Sequence, residues 1–189
     1  MNVRGAASFF SRISILREAV PTASRVGFLA SRAVWDGGDG SVMREATRQA
    51  GISLLGPPLE SPFQDGEYKR VLEAMVQEHA DGLIVSDSPD NLTHSRLIVD
   101  LVEKAQLPTV YPYREFFEFS GLIAYGSSRA DVWRRLAGYI DQILRGTKPG
   151  EIPIYLESKL ELLLNLKTAK ALGIEMPTSL LVRADEVIE

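Results

Sequence analysis

A chain of 189 residues, 45% hydrophobic and 24% charged, has the make-up of one globular domain, or one with an appendage, able to bury a core without covalent staples. Its formal charge of -4, with basic residues scattered and Arg134-Arg135 as the densest pair, excludes a nucleic-acid footprint. The absence of cysteine excludes disulfides, thiolate metal sites and cysteine nucleophiles.

The opening stretch MNVRGAASFFSRISILREAVP has no continuous apolar run and no cleavage site, so it reads neither as a signal peptide nor as a membrane span. Phe9, Ile13, Leu16 and Val20 recur at helical spacing, predicting a helix over 8–19 that Pro21 ends. RVGFLA is the first predicted strand, 25–30. SVMREATRQAG predicts a helix over 41–51, with Ser41 as cap and Gly51 as stop. A second strand, 52–56, breaks at Pro57-Pro58. In EYKRVLEAMVQEH, Tyr68, Val71, Leu72, Met75 and Val76 share a helical face. The third strand, 83–86, carries Leu83, Ile84 and Val85, a run suited to burial on both faces.

NLTHSRLIVDLVEKAQ predicts one helix over 91–106, with Leu97, Ile98, Leu101, Val102 and Ala105 as its stripe. A fourth strand follows at 108–111 and a fifth at 122–125. RADVWRRLAGYIDQILRG predicts a helix closed by Gly146, with Trp133, Leu136, Ala137, Ile140 and Leu144 facing inward. In the tail, IPIYLES and LELLLN read as extended, NLKTAKALG as a short helix capped by Asn165 and ended by Gly173, and MPTSLLVRADEVIE as a turn and a short helix. This alternation is the pattern of βαβ units. It predicts an α/β fold, a doubly wound parallel sheet with helices on both faces and C-terminal crossing segments.

In open parallel sheets, ligands bind beyond the carboxyl ends of the strands, where strand order reverses. With the order 2-1-3-4-5, that crevice lies between strands one and three. Ser31, Arg32, Asp87 and Ser88 would face each other across it, an arginine fork opposite a carboxylate. Tyr111, Tyr113 and Tyr125 stand at strand ends and combine an aromatic face with a hydroxyl, so they complete the candidate ligand site. Plainer roles compete: Asp87 as a helix cap, Arg32 as a solvated loop charge, and Phe116, Phe117 and Phe119 as core packing.

Signals of catalysis are missing: there is no P-loop, no G-x-G-x-x-G after a strand, no nucleophile elbow and no H-E-x-x-H. WDGGDG, 35–40, reads as a flexible loop at the crevice mouth. His79 and His94 are isolated surface residues. No enzyme activity, metal or cofactor is expected.

Taken together, NVRG, LREAVPTASRVGFL, LPTVYPYREFFEFSGLIAYG, YIDQILRGTKPGEIP and LLLNLKTAKALGIEMPTSLLVRADEVIE resemble the ABC-transporter substrate-binding proteins of the tryptophan/tyrosine-type group, which have the type I periplasmic-binding-protein fold. The resemblance covers essentially the whole chain, and the final segment is its most specific part. It implies two Rossmann-like lobes holding a small-molecule solute in a cleft, delivery to an ABC permease in the membrane, and no catalysis.

Members of that family usually begin with a signal peptide and a first lobe of well over a hundred residues, whereas MNVRG stands where that lobe should be ending. Ser120 in EFSGL also departs from a glycine common in the family. The resemblance therefore assigns 1–21 as a hinge-proximal helix, 22–120 as the second lobe, 121–150 as a strand and helix of the first lobe, and 151–189 as crossing segments. A periplasmic location follows if a leader and first lobe were removed, and a cytoplasmic one if the chain is made as given. With one wall of the cleft uncovered, GLIAYG and the helix carrying Trp133 would lack their sheet partner. A homodimer is then expected, its interface including Phe116, Phe117, Phe119, Tyr125 and Trp133. The alternatives are a ligand-sensing α/β domain of a regulator, which lacks here the acidic cluster of a receiver, and a small α/β enzyme.

Overall fold

The computed structural model describes residues 3–153 and 160–189, with side chains from residue 8 onward. Seven strands form one sheet: β1 (Arg25–Leu29), β2 (Ser53–Leu55), β3 (Gly82–Val85), β4 (Thr109–Tyr111), β5 (Ile123–Ser127), β6 (Leu160–Asn165) and β7 (Glu186–Ile188). Their order is β2-β1-β3-β4-β5-β6-β7. The first five run parallel, β6 is antiparallel to β5, and β7 is parallel to β6. The expected order of the first five strands and their positions therefore hold. Ten α-helices are described: α1 (Val3–Ala19), α2 (Arg32–Asp36), α3 (Gly38–Ala50), α4 (Asp65–Gln77), α5 (Pro89–Thr93), α6 (Ser95–Lys104), α7 (Arg114–Glu118), α8 (Arg129–Leu144), α9 (Leu166–Ala171) and α10 (Thr178–Arg183).

Period-two alternation divides each strand between two cores. Val26, Phe28, Ile84, Val110 and Ile123 face α1 and α3, where Phe9, Ile13, Leu16 and Met43 meet them. Leu29, Leu83, Val85 and Tyr111 face α4 and α6, against Tyr68, Met75, Ile98 and Val102. Burial on both faces explains why the strands read as unbroken apolar runs.

Several local expectations are corrected. WDGGDG is not a loop: α2 and α3 meet at Gly37, and both glycine-flanked ends are helical. Gly40 is there because the helices nearly touch; a Cβ on it would lie 1.8 Å from the Trp35 carbonyl oxygen. Trp35 in turn stacks on Phe28 at 5.6 Å, fixing α2 to β1. Ser41 therefore lies inside α3 rather than capping it, while Gly51 ends the helix in the left-handed region at φ 69°.

The predicted helix over 91–106 is two, broken at His94. Asn165 does cap α9, accepting from the Thr168 amide, and the tail adds a strand, β7, that its charged sequence concealed. IPIYLES falls largely outside the described residues.

α8 inverts its expectation. None of its residues is buried, and Trp133 (62% exposed), Ile140 (58%) and Leu144 (81%) face solvent. The apolar stripe is real, but no described element packs on it. β5, by contrast, does not lack a sheet partner, since β4 and β6 flank it. Phe116 and Phe117 are also buried, the first stacked on Tyr111 at 5.0 Å and the second against Ala124 and Leu163, so they do not contribute to an open surface.

Two glycines of one helix separate these effects. Gly40→Ala should destabilise by about 2 kcal/mol or more, because the methyl can be accommodated only by moving α2 from α3. Gly38→Ala, whose methyl meets nothing within 4 Å, should be neutral or stabilise by about 0.5 kcal/mol. Urea denaturation of the two variants measures both, and equal effects would contradict the close approach.

Candidate functional site

The carboxyl ends of β1, β3 and β4 lie at one edge of the sheet, and the residues that follow them form a crest. Its centre is Asp87, just after β3. Arg12, on the buried face of α1, reaches across the sheet end and grips this carboxylate with two guanidinium nitrogens, Nη2 donating to Oδ2 at 3.0 Å and Nη1 to Oδ1. The third nitrogen, Nε, donates to the Tyr125 carbonyl at 3.0 Å, and the cation lies 5.4 Å from the Phe9 ring centre. The Arg12 side chain is 1% exposed and that of Asp87 43%. The arginine thus occupies the inner edge of the carboxylate and leaves the outer edge to solvent. A carboxylate has about four acceptor sites, so Asp87 can still accept from a ligand.

Asn91, fully buried in α5, holds the crest from below. Its amide nitrogen donates to the carbonyls of Leu29 (3.1 Å) and Ser86 (3.2 Å) and to the Ser86 hydroxyl (3.0 Å), and its oxygen accepts from Tyr68 at 3.3 Å. The ends of β1 and β3 are thereby tied to α4. Ser31 and Ser88 cap α2 and α5, accepting from Val34 and Asn91 amides. Tyr113 donates its hydroxyl to the Asp87 carbonyl at 3.3 Å, and Arg129 lies 5.7 Å from its ring centre while pairing with Glu115 at 2.7 Å. Burial raises the Tyr113 phenol above its ordinary pKa, and nearby Asp87 adds to the rise.

The predicted site residues divide accordingly. Asp87, Ser88 and Tyr113 stand together at the crest, with Ser31 at the end of β1. Arg32 is at the same edge but does not face Asp87; it pairs with Glu60 and, at 3.6 Å, with Asp36. Tyr111 is 1% exposed, because alternation along β4 aims it at the α6 layer, where burial pushes its phenol well above the usual range. Alternation likewise turns the Tyr125 ring to the α1 face, beside Ile15 and Leu162; only its carbonyl serves the crest, through Arg12. Arg12 itself was missed. Its signal was an arginine set among Phe9, Ile13 and Leu16, on the face that the helical spacing had marked as apolar.

The seven-stranded, mostly parallel sheet with helices on both faces is an α/β fold of the periplasmic-binding-protein class. Solved structures agree. A conserved domain protein from Vibrio cholerae superposes with TM-score 0.82 at 17% identity, covering 95% of this chain and 60% of that one. A Streptococcus pneumoniae ABC domain in complex with L-Trp gives 0.83 at 20%, covering 96% and 60%. A ligand-free, open substrate-binding protein with adhesive properties from Clostridium difficile gives 0.61 at 16%, covering 93% and 58%. The chain thus spans about 60% of the length of the first two structures.

No curated protein matches it by sequence. The family model "ABC transporter substrate binding protein" matches residues 3–188, and the chain belongs to that family. The family is one of solute binders rather than enzymes.

Removing Asp87 should strand a buried cation. Asp87→Ala is expected to cost about 3 kcal/mol, lowering Tm by roughly 6–12 °C in a domain of this size. The double variant Arg12→Met with Asp87→Ala should recover most of that loss, since a buried pair can be replaced by apolar packing with little penalty. Thermal melts of the single and double variants test the coupling, and additive losses would refute it.

Proposed function

We propose that the chain is the solute-binding component of an ABC-type importer, taking a small organic solute with an amino group and an aromatic body. The observation that carries this reading is Asp87: its inner edge is satisfied by Arg12, its outer edge is open, and Tyr113 stands beside it at the carboxyl end of the parallel strands. A half-exposed carboxylate beside a phenol suits an ammonium next to a ring. Ser31 and Ser88 would border the solute, with the Arg32–Glu60 pair and Arg129 flanking the crest. The pneumococcal structure of similar fold, solved in complex with L-Trp, supports an aromatic amino acid over an aromatic carboxylate.

In this reading 22–120 forms one wall of the cleft, and α8 with the segment after it points toward a first lobe that supplies the other. Delivery to an ABC permease, in a periplasmic or extracellular setting, is part of the proposal. No helix among the described residues is long and apolar enough to cross a membrane.

Calorimetry and thermal shift with L-tryptophan, L-tyrosine, tryptamine and indole-3-propionate test it. L-Tryptophan at a hundredfold excess over Kd should stabilise by about 2.7 kcal/mol. Tryptamine should retain more affinity than indole-3-propionate, which lacks the amine. Asp87→Asn should weaken L-tryptophan by about 1–3 kcal/mol. Stronger binding of indole-3-propionate than of tryptamine, or binding indifferent to Asp87→Asn, would sink the assignment.

We further propose that the chain on its own forms a two-fold dimer through α8, whose exposed apolar residues include Trp133, Leu136, Ile140 and Leu144. Sedimentation at micromolar concentration should give a dimer that Trp133→Glu with Ile140→Glu dissociates. A monomeric parent chain would overturn this.

A further inference from the structure

A cavity of about 230 Å³ lies at the other end of the sheet from Asp87, below the starts of β4 and β5. Its apolar walls are Val102 of α6, Leu107, Tyr111, Leu122 and Leu172. Side-chain packing keeps it open. Tyr111 cannot swing inward, because its ring is stacked on Phe116 at 5.0 Å and abuts the backbone at Gly121, where a Cβ would lie 2.9 Å from the ring.

The two turns at the rim are held in the left-handed region, Gln106 at φ 52° and Ser120 at φ 73°. Each is anchored: the Gln106 amide donates to the Glu103 carbonyl at 2.9 Å, and Thr168 donates to the Ser120 carbonyl at 2.8 Å. The rim is therefore built, and the lining is mainly apolar.

Two charges stand at the mouth on different walls, Glu103 at the end of α6 and Lys167 at the start of α9. Neither forms an ion pair with a described residue. We propose that this cavity is a second small-molecule site, for an aliphatic zwitterion of about the size of leucine. Its apolar body would fill the space beside Val102 and Leu172, its ammonium would meet Glu103, and its carboxylate would meet Lys167. The volume is too small for the larger ligands that fill ordinary cofactor pockets of roughly 300–1,000 Å³. A ligand with one charge would leave the opposite residue unpaired. Because the walls come from α6 and α9, occupancy would bridge the body of the sheet to the tail helix. This site is independent of the crest.

Nitrogen-15 NMR titration of the full chain with L-leucine, isovalerate and isoamylamine tests the proposal. L-Leucine should shift amides at Leu107, Gly121, Leu122 and Leu172, and should bind more tightly than either singly charged analogue. Glu103→Gln and Lys167→Gln, both at exposed positions, should each weaken it roughly two- to fivefold. Ala171→Phe, if folded, should abolish the shifts by filling the cavity, and Tyr113→Ala at the crest should leave them unchanged. The proposal is overturned if L-leucine at tens of millimolar shifts none of these amides, if shifts cluster at the strand ends, or if both charge variants bind as the parent does.

Discussion

The structure turns on a single charge carried by the first helix into the interior. Arg12 is almost wholly buried, and three groups from three places satisfy it: the Asp87 carboxylate after β3, the Tyr125 carbonyl in β5, and the face of Phe9 one turn back. A guanidinium in such surroundings tolerates few alternatives, because each unmet donor would carry a desolvation penalty. The pair therefore fixes where α1 lies on the sheet and the direction in which the Asp87 carboxylate opens. Packing of Ile13 and Leu16 supplies the contact area, but apolar contacts tolerate sliding. The charge pair sets the position.

Most of the scaffold was legible because both sheet faces are covered. Strands buried on two sides appear as runs such as Leu83-Ile84-Val85, and helices between them show one stripe each. The errors have physical causes. Arg12 was invisible because a charge on an apolar stripe is ordinarily a misfit, and nothing in one sequence names a partner 75 residues away. Tyr111 and Tyr125 stand at strand ends yet turn inward, because side-chain alternation, not position along the strand, decides exposure. Tyr113, two residues past Tyr111 and beyond the last paired position of β4, escapes that rule and does reach the crest. The glycines of WDGGDG suggest a flexible loop, but Gly40 serves for its lack of a side chain, not for conformational freedom. The tail strand β7 was hidden because two of its three residues are exposed, leaving no alternation to see.

The reversal at β6 shapes the rest. Five parallel strands send their carboxyl ends to the crest, while β6 runs the other way and delivers α9 to the opposite end. The sheet thus presents two chemically different edges. One is polar, with capped helix starts and a half-open carboxylate; the other is a recessed apolar space between α6 and α9. β5 is the strand common to both, since Tyr125 holds Arg12 at one end and Leu122, just before it, lines the space at the other.

α8 must hold its shape with little help from the core. It has a Ser128 cap and ion pairs Arg134–Asp131 and Arg145–Asp141 along its own surface, but it buries no residue. Local pairs of this kind stabilise a helix by only a few tenths of a kcal/mol each, and an isolated helix of this length is marginal in water. Beyond Arg129, which pairs with Glu115, α8 has few ties to the rest of the fold, so where nothing covers it the helix is expected to open locally before the sheet does. Its amide protons should then exchange with solvent through that local opening, while those of β1 and β3 should wait for global unfolding. Such a fold would carry two separate stabilities, and whatever settles on the Trp133 face would raise the lower of them.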